Sequence, residues 1–221
     1  MMRFPRRIFR RVVLPAVVLP LIIAAPPKDT VAPAASSETR ARAWDALRSK
    51  VQESKYLDHT LAVEAIMREL AAAEGDDRDE WDVAGLLHDI DIGTTAADLS
   101  RHGLVGAQIL RDLGFSSAIV HAVSAHDDRA GVARTSRLDH AVYCADQLYW
   151  LVAAAGFRFQ SEKLNTADPE ALWEQVQATP SKRAILGQVS NECAGIGFTM
   201  PRALAAVKAA SRRLSVGPAV P

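Results

Sequence analysis

From Ser37 to about residue 214, apolar side chains recur three and four positions apart, alanine is abundant, and no stretch alternates β-branched with polar residues. That period lays one apolar stripe along an α-helix and none along a strand, so the chain is expected to be all-α. Helix starts are expected at Ser37 before "ETRARAWDALRSK", Ser116 before "SAIVHAVSAH", Ser136 before "RLDHAVYCADQLYWLVAAA" and Asp168-Pro169-Glu170 before "ALWEQVQA". Gly75, Gly93, Gly114 and Gly156 fall where helices would stop. These marks predict eight or nine helices in one domain over residues 38–214, with residues 215–221 as a flexible tail.

Residues 1–37 have another character. An arginine-rich start, "MMRFPRRIFRR", leads into the 14-residue apolar run "VVLPAVVLPLIIAA" and a polar stretch offering Ala32-Pro33-Ala34 as an A-x-A-like cleavage site. This is the layout of a secretory signal, and Arg6-Arg7-Ile8-Phe9 resembles the twin-arginine export signature. A spanning helix needs roughly 20 apolar residues, more than this run supplies. The expectation is export, or membrane anchoring through this segment if it stays uncleaved; the alternative is a cytoplasmic protein with a mis-assigned start. The same 37 residues hold six of the 26 basic residues and one of the 26 acidic ones, leaving 20 basic against 25 acidic residues in the body. An acidic body lacks the basic stripe that a nucleic-acid polymer requires, so no such partner is expected. Cys144 and Cys193 are too few for a disulfide framework and are read as two small buried hydrophobes.

The stretch "AGLLHDIDIG" ends an apolar run in His88, Asp89 and, two positions on, Asp91. At helical spacing, His59 shares a face with Ala62, Val63, Ile66 and Leu70, and His88 with Trp81, Ala84 and Gly85. His102 falls with Val105, Gly106 and Ile109, His126 with Ile119, Ala122 and Val123, and Asp146 with Val142, Tyr143 and Trp150. Five polar groups thus project from apolar faces on five successive helices, and Asp89 makes a sixth. Burying them without a shared partner would be strongly unfavourable. A metal removes that difficulty. Imidazole and carboxylate are ligands of Zn, Mn and Fe, and an Asp beside a His can bridge two ions. His121 lies about 140° around its helix from His126, and His140 about 240° from Asp146, so both are expected to point elsewhere.

In order, these residues resemble the HD-domain superfamily of metal-dependent phosphohydrolases, and more narrowly the small bacterial hydrolases with HDIG-type domains. The likeness rests on "HTLAVEAIMRELA", "WDVAGLLHDIDI", "RHGLVGAQIL", "IVHAVSAH" and "LDHAVYCADQL", covering roughly residues 55–155 and continuing more weakly to about residue 214. It implies a compact helical HD bundle with additional C-terminal helices. It also implies that His59, His88, Asp89 and Asp146 hold one divalent metal ion, with His102 and His126 completing a second site bridged by Asp89. The chain departs from the narrower group where Asp146 is followed by Gln147-Leu148-Tyr149-Trp150, which makes a bulkier pocket wall, and where His126 is followed by Asp127-Asp128.

The function expected from this resemblance is hydrolysis of a small phosphate ester, such as a nucleotide, by a metal-activated water. Two divalent ions (Fe, Mn or Zn) against the two Asp ligands would leave a positive site that attracts an anionic substrate. Asp89 is the expected catalytic bridge. Asp91 is a candidate general acid or an orienting group, with an ordinary helix-end carboxylate as the alternative. Arg101, Arg129 and Lys163 are candidate phosphate clamps, each with a solvated surface charge as the alternative. Two other functions fit the same ligand order: a di-iron oxygenase of the inositol-oxygenase type, and a metal-stabilised module that binds a ligand without turning it over.

Overall fold

The computed structural model describes residues 33–216, with side chains from residue 38 onward. The export-like segment through Ala32 and the tail from residue 217 lie outside the described residues. Among the described residues the secondary structure is helical, with no strand. The helices are α1 (Pro33–Lys50), α2 (Ser54–Glu74), α3 (Arg78–Leu87), α4 (Ile92–Thr95), α5 (Leu104–Asp112), α6 (Ser117–Ala125), α7 (Arg137–Ala154), α8 (Glu162–Thr166), α9 (Pro169–Gln177), α10 (Leu186–Gly195) and α11 (Met200–Ser215). Three 3-10 turns lie at Leu99–Arg101, Asp128–Ala130 and Pro180–Lys182. The excess over eight or nine helices comes from segments such as α4 and α8, too short to display a period. No described helix is long and apolar enough to cross a membrane.

Most of the expected helix boundaries are present. Ser116 caps α6 by accepting from the Ile119 amide at 3.3 Å, and Asp168 caps α9 by accepting from Ala171 at 3.0 Å with Pro169 in the first turn. Gly75 closes α2 in the left-handed region at φ 77°, returning its amide to Ala71 O. Two marks need correction. Ser37 lies inside α1, which begins at Pro33, where a proline without an amide hydrogen suits the first helical position. Gly93 sits within α4 instead of ending a helix; a Cβ there would stand 2.6 Å from the Lys50 carbonyl, so a close backbone approach explains this glycine.

The long helix α2 is the axis of the bundle, packed against α3, α7 and α11, while α7 also carries α6 and α10. Ile66, Met67, Leu70, Leu86, Leu87, Leu148 and Leu151 are fully buried between them. The α2–α3 contact is close because Gly85 has no side chain: a Cβ there would meet Met67 Cγ at 2.8 Å and Glu64 Cα at 3.0 Å. That closeness brings the end of α3, and with it His88, down onto α2. Ion pairs from Arg40 to Glu64 and from Arg68 to Asp82 tie α1, α2 and α3 together around buried carboxylates.

Cys144 and Cys193 are buried, but they are one cystine and not two separate hydrophobes. A disulfide joins α7 to α10, whose cysteine Cα atoms lie 5.2 Å apart where the two helices pack.

The start of α7 is held by a capping box. Ser136 accepts from the Asp139 amide, while the Asp139 carboxylate accepts from the amides of Thr135 and Ser136, both at 2.8 Å, and faces His121 Nδ1 at 3.0 Å. Burial would raise the Asp139 pKa, but these donors outweigh it and hold the group below the usual carboxylate range. A depressed pKa contributes stability above the unfolded value near 4, which is lost as pH falls through the folded value. Asp139→Asn is therefore expected to lower unfolding free energy by about 1–2 kcal/mol at pH 7, with the deficit shrinking below about pH 4. Urea melts at both pH values read this; an equal deficit at both would refute the charge-based account.

Candidate metal centre

Each imidazole of the site is aimed by a local backbone feature. His88 caps the C-terminus of α3, and its Nδ1 lies 2.8 Å from the Gly85 carbonyl. His126 caps α6 in the same way, with Nδ1 2.6 Å from the Val123 carbonyl. A carbonyl only accepts, so Nδ1 carries the proton in both rings and the lone pair of Nε2 faces inward. His59 projects from the second turn of α2, its ring edge-on to Tyr149 at 4.6 Å and covered by Trp150 at 5.0 Å. Its buried Nδ1 has no hydrogen-bond partner.

His102 is not on a helix face, as the spacing suggested. It sits in the bend between the Leu99–Arg101 turn and α5, where Gly103 adopts φ 77° and a Cβ would collide with Val123 O at 2.9 Å. Asp91 holds this bend. One carboxylate oxygen accepts from the amides of Gly103 and Gly106 at 3.0 and 2.9 Å, and the other lies 2.9 Å from His102 Nδ1. Asp91 is buried and is not among the residues that line the pocket above the centre.

The four Nε2 atoms meet around Asp89 in two pairs. His59 and His88 face each other at 3.1 Å, each 3.5 Å from Asp89 Oδ2, with Asp146 Oδ1 at 3.1 Å from His59 and 3.9 Å from His88. His102 and His126 also face each other at 3.1 Å, and lie 3.0 and 3.5 Å from Asp89 Oδ1. Ligand atoms about 2.1 Å from one ion at angles of 90–109° stand about 3.0–3.4 Å apart, which is close to this spacing. Two inward lone pairs at such a distance repel unless a cation or a proton lies between them. The residues thus form two clusters that could each hold a metal ion, His59, His88 and Asp89 in one and Asp89, His102 and His126 in the other.

Without ions, protons take that place. Burial opposes charge on His102, but the carboxylates of Asp89 and Asp91 outweigh it and push its pKa up to about 10. His88, wholly buried, is pushed down to about 4. Burial would raise Asp89, yet the surrounding imidazoles hold it well below the usual range. Metal ions and protons thus compete for the same nitrogens.

Above this centre opens a pocket of about 510 Å³. Asp146, Gln147 and Trp150 form one wall, in line with the bulky sequence after Asp146. Arg129 lines the pocket, its guanidinium hydrogen-bonded to Asp127. Arg101 does not line it: the turn that directs Leu99 and His102 inward leaves Arg101 exposed. Lys163 is also elsewhere, on α8, with its ammonium 4.2 Å over the Phe157 ring and 3.3 Å from Gly156 O. Sequence reasoning missed Lys182 and Ile185, which reach the pocket from the segment before α10. His121 and His140 point away, onto Asp139 and Glu192.

Residues 56–151 match the HD domain family. Over 70 residues, 32% of this chain and 14% of the other protein, the sequence is 40% identical to Ribonuclease Y of Chloroflexus aurantiacus. Over 72 residues, 33% of this chain and 14% of the other protein, it is 38% identical to Ribonuclease Y of Nitratidesulfovibrio vulgaris. The likeness thus spans about a seventh of the length of these curated relatives. No solved structure matches the chain. With the all-helical bundle and the paired His/Asp clusters centred on Asp89, the match identifies residues 56–151 as an HD domain, the domain of a superfamily of metal-dependent phosphohydrolases.

Proposed function

We propose that this protein hydrolyses a small phosphate ester, with nucleotides as the first class to test. The observation that carries this reading is the Asp89 carboxylate, each of whose oxygens faces its own pair of inward imidazole nitrogens. A pair of divalent ions held there (Fe, Mn or Zn by the donor set) would supply Lewis acidity and activate a water. His59, His88 and Asp146 would hold one ion and His102 and His126 the other, with Asp89 shared. Asp91 keeps the His102 ring turned so that Nε2 faces the centre. Gln147 holds Asp146 by donating to its Oδ2 at 2.9 Å, leaving Oδ1 towards His59.

The relatives' name, ribonuclease, raises a polymeric substrate. The body's 20 basic against 25 acidic residues gives no basic track for a chain of phosphates, which favours a small ester. Elemental analysis of protein purified without added metal, followed on the same sample by phosphate release from a nucleotide panel, tests the reading. About two ions per chain with phosphate release is the expected result. Iron with substrate-dependent oxygen uptake and no phosphate would replace it by an oxygenase. Reversible nucleotide binding without product would replace it by a binding module, and absence of metal would overturn it.

A further inference from the structure

The pocket over the metal centre has walls of two origins. One belongs to the matched HD domain, from Asp89 to Trp150. The other, Lys182 and Ile185, comes from beyond it. Two cations line the pocket, and they differ in their commitments. Arg129 gives its Nε to both oxygens of Asp127, at 2.9 and 3.0 Å, so its charge is matched. Lys182 is half-buried, and among the described residues its ammonium has no hydrogen bond or ion pair.

The placement of Lys182 is not left to a loose loop. Gln188, on α10, donates to Asp128 Oδ2 at 2.8 Å. Arg134 bridges Asp128 and Glu192, each at 2.9 Å, and donates to the Ala125 carbonyl beside His126. The Cys144–Cys193 disulfide then fixes α10 to α7, two residues before Asp146. The segment that presents Lys182 is thereby tied to the elements that carry His126 and Asp146.

An ammonium with no ion pair, lining the pocket over a site suited to divalent cations, would repel such cations unless an anion lay between them. We infer that Lys182 is a specificity-determining residue that binds an anionic oxygen of the substrate. The inference rests on the phosphohydrolase reading, since it takes the substrate to be a phosphate. Elsewhere the pocket lining mixes the apolar Leu99, Trp150 and Ile185 with the polar Asp128, Tyr143 and Gln147.

The test uses the metal-loaded full chain and two probes, inorganic phosphate by calorimetry and p-nitrophenyl phosphate by steady-state kinetics. Lys182→Met is expected to raise the phosphate Kd and the ester KM about ten- to a hundredfold, with kcat and metal content unchanged. Lys182→Arg should restore most of the binding, and Lys163→Met, outside the pocket, should change neither constant. Unaltered Kd and KM in Lys182→Met, with the wild type active, would overturn the role of Lys182 alone. A metal-loaded wild type that binds no phosphate and releases none would overturn the phosphohydrolase reading and the inference with it.

Discussion

Asp89→Ala is expected to reduce bound metal from about two ions per chain to nearly none, and phosphate release by at least about a thousandfold. The reason is its central place. Both oxygens are used, one towards the His59–His88 pair and one towards the His102–His126 pair, so one substitution strips a negative ligand from both positions. His102→Ala removes a ligand from one pair only and should leave about one ion, held by His59, His88, Asp89 and Asp146. His121→Ala should keep the full complement, because His121 pairs with Asp139 away from the centre. Elemental analysis of the three variants and the wild type in parallel reads this. Full metal content in Asp89→Ala would show that the inward nitrogens are not metal ligands.

The graded outcome matters because a simple loss of folding could mimic loss of metal. Asp89 is buried, but its partners are imidazoles, which can lose their protons when the carboxylate is gone. Circular dichroism of metal-free Asp89→Ala should therefore retain the helical signal of metal-free wild type.

Much of this centre was legible because burial and chemistry conflict at its residues. An imidazole or carboxylate at a position patterned for the core is a local contradiction, and that contradiction points to five of the six residues that the fold gathers into the cluster. For His59 and Asp146 the helix-face argument was also geometrically correct, since both lie within long helices. For His102 it pointed to a residue of the cluster on the wrong structure: the ring lies in a bend held by Asp91 and Gly103, not on a helical stripe. The role of Asp91 was open in the sequence because only tertiary folding places the amides of Gly103 and Gly106 against its carboxylate. The caps at Ser116, Ser136 and Asp168 were readable because each bond spans three residues or fewer. Lys182 and the cystine were not readable for the opposite reason. Nothing in the neighbourhood of either marks it; what distinguishes them is the packing of α10 on α7, a contact between distant parts of the chain.

That packing leads to the second large effect. The disulfide closes a loop with a sequence separation of 49 residues. In the chain-entropy account, a cross-link of this span stabilises the folded state by about 4 kcal/mol, by restricting the unfolded chain. Cys144→Ala/Cys193→Ala is therefore expected to lower the Tm by about 8–16 °C for a chain of this size. Metal content should be little altered, because neither cysteine belongs to the His/Asp clusters. The wall carrying Lys182 should loosen, so the variant's phosphate affinity should fall in the same direction as that of Lys182→Met. The bond also bears on compartment. Cytosolic thiols are kept reduced, whereas exported chains form stable disulfides, and we propose that this chain acts outside the cytoplasm, as its arginine-rich and apolar first residues suggest. Protein taken from its native cells, alkylated at once and then unfolded without reductant, should show no free thiol. Two alkylated cysteines in that sample would refute both the native cystine and the export argument built on it, and the double variant would then melt close to the wild type.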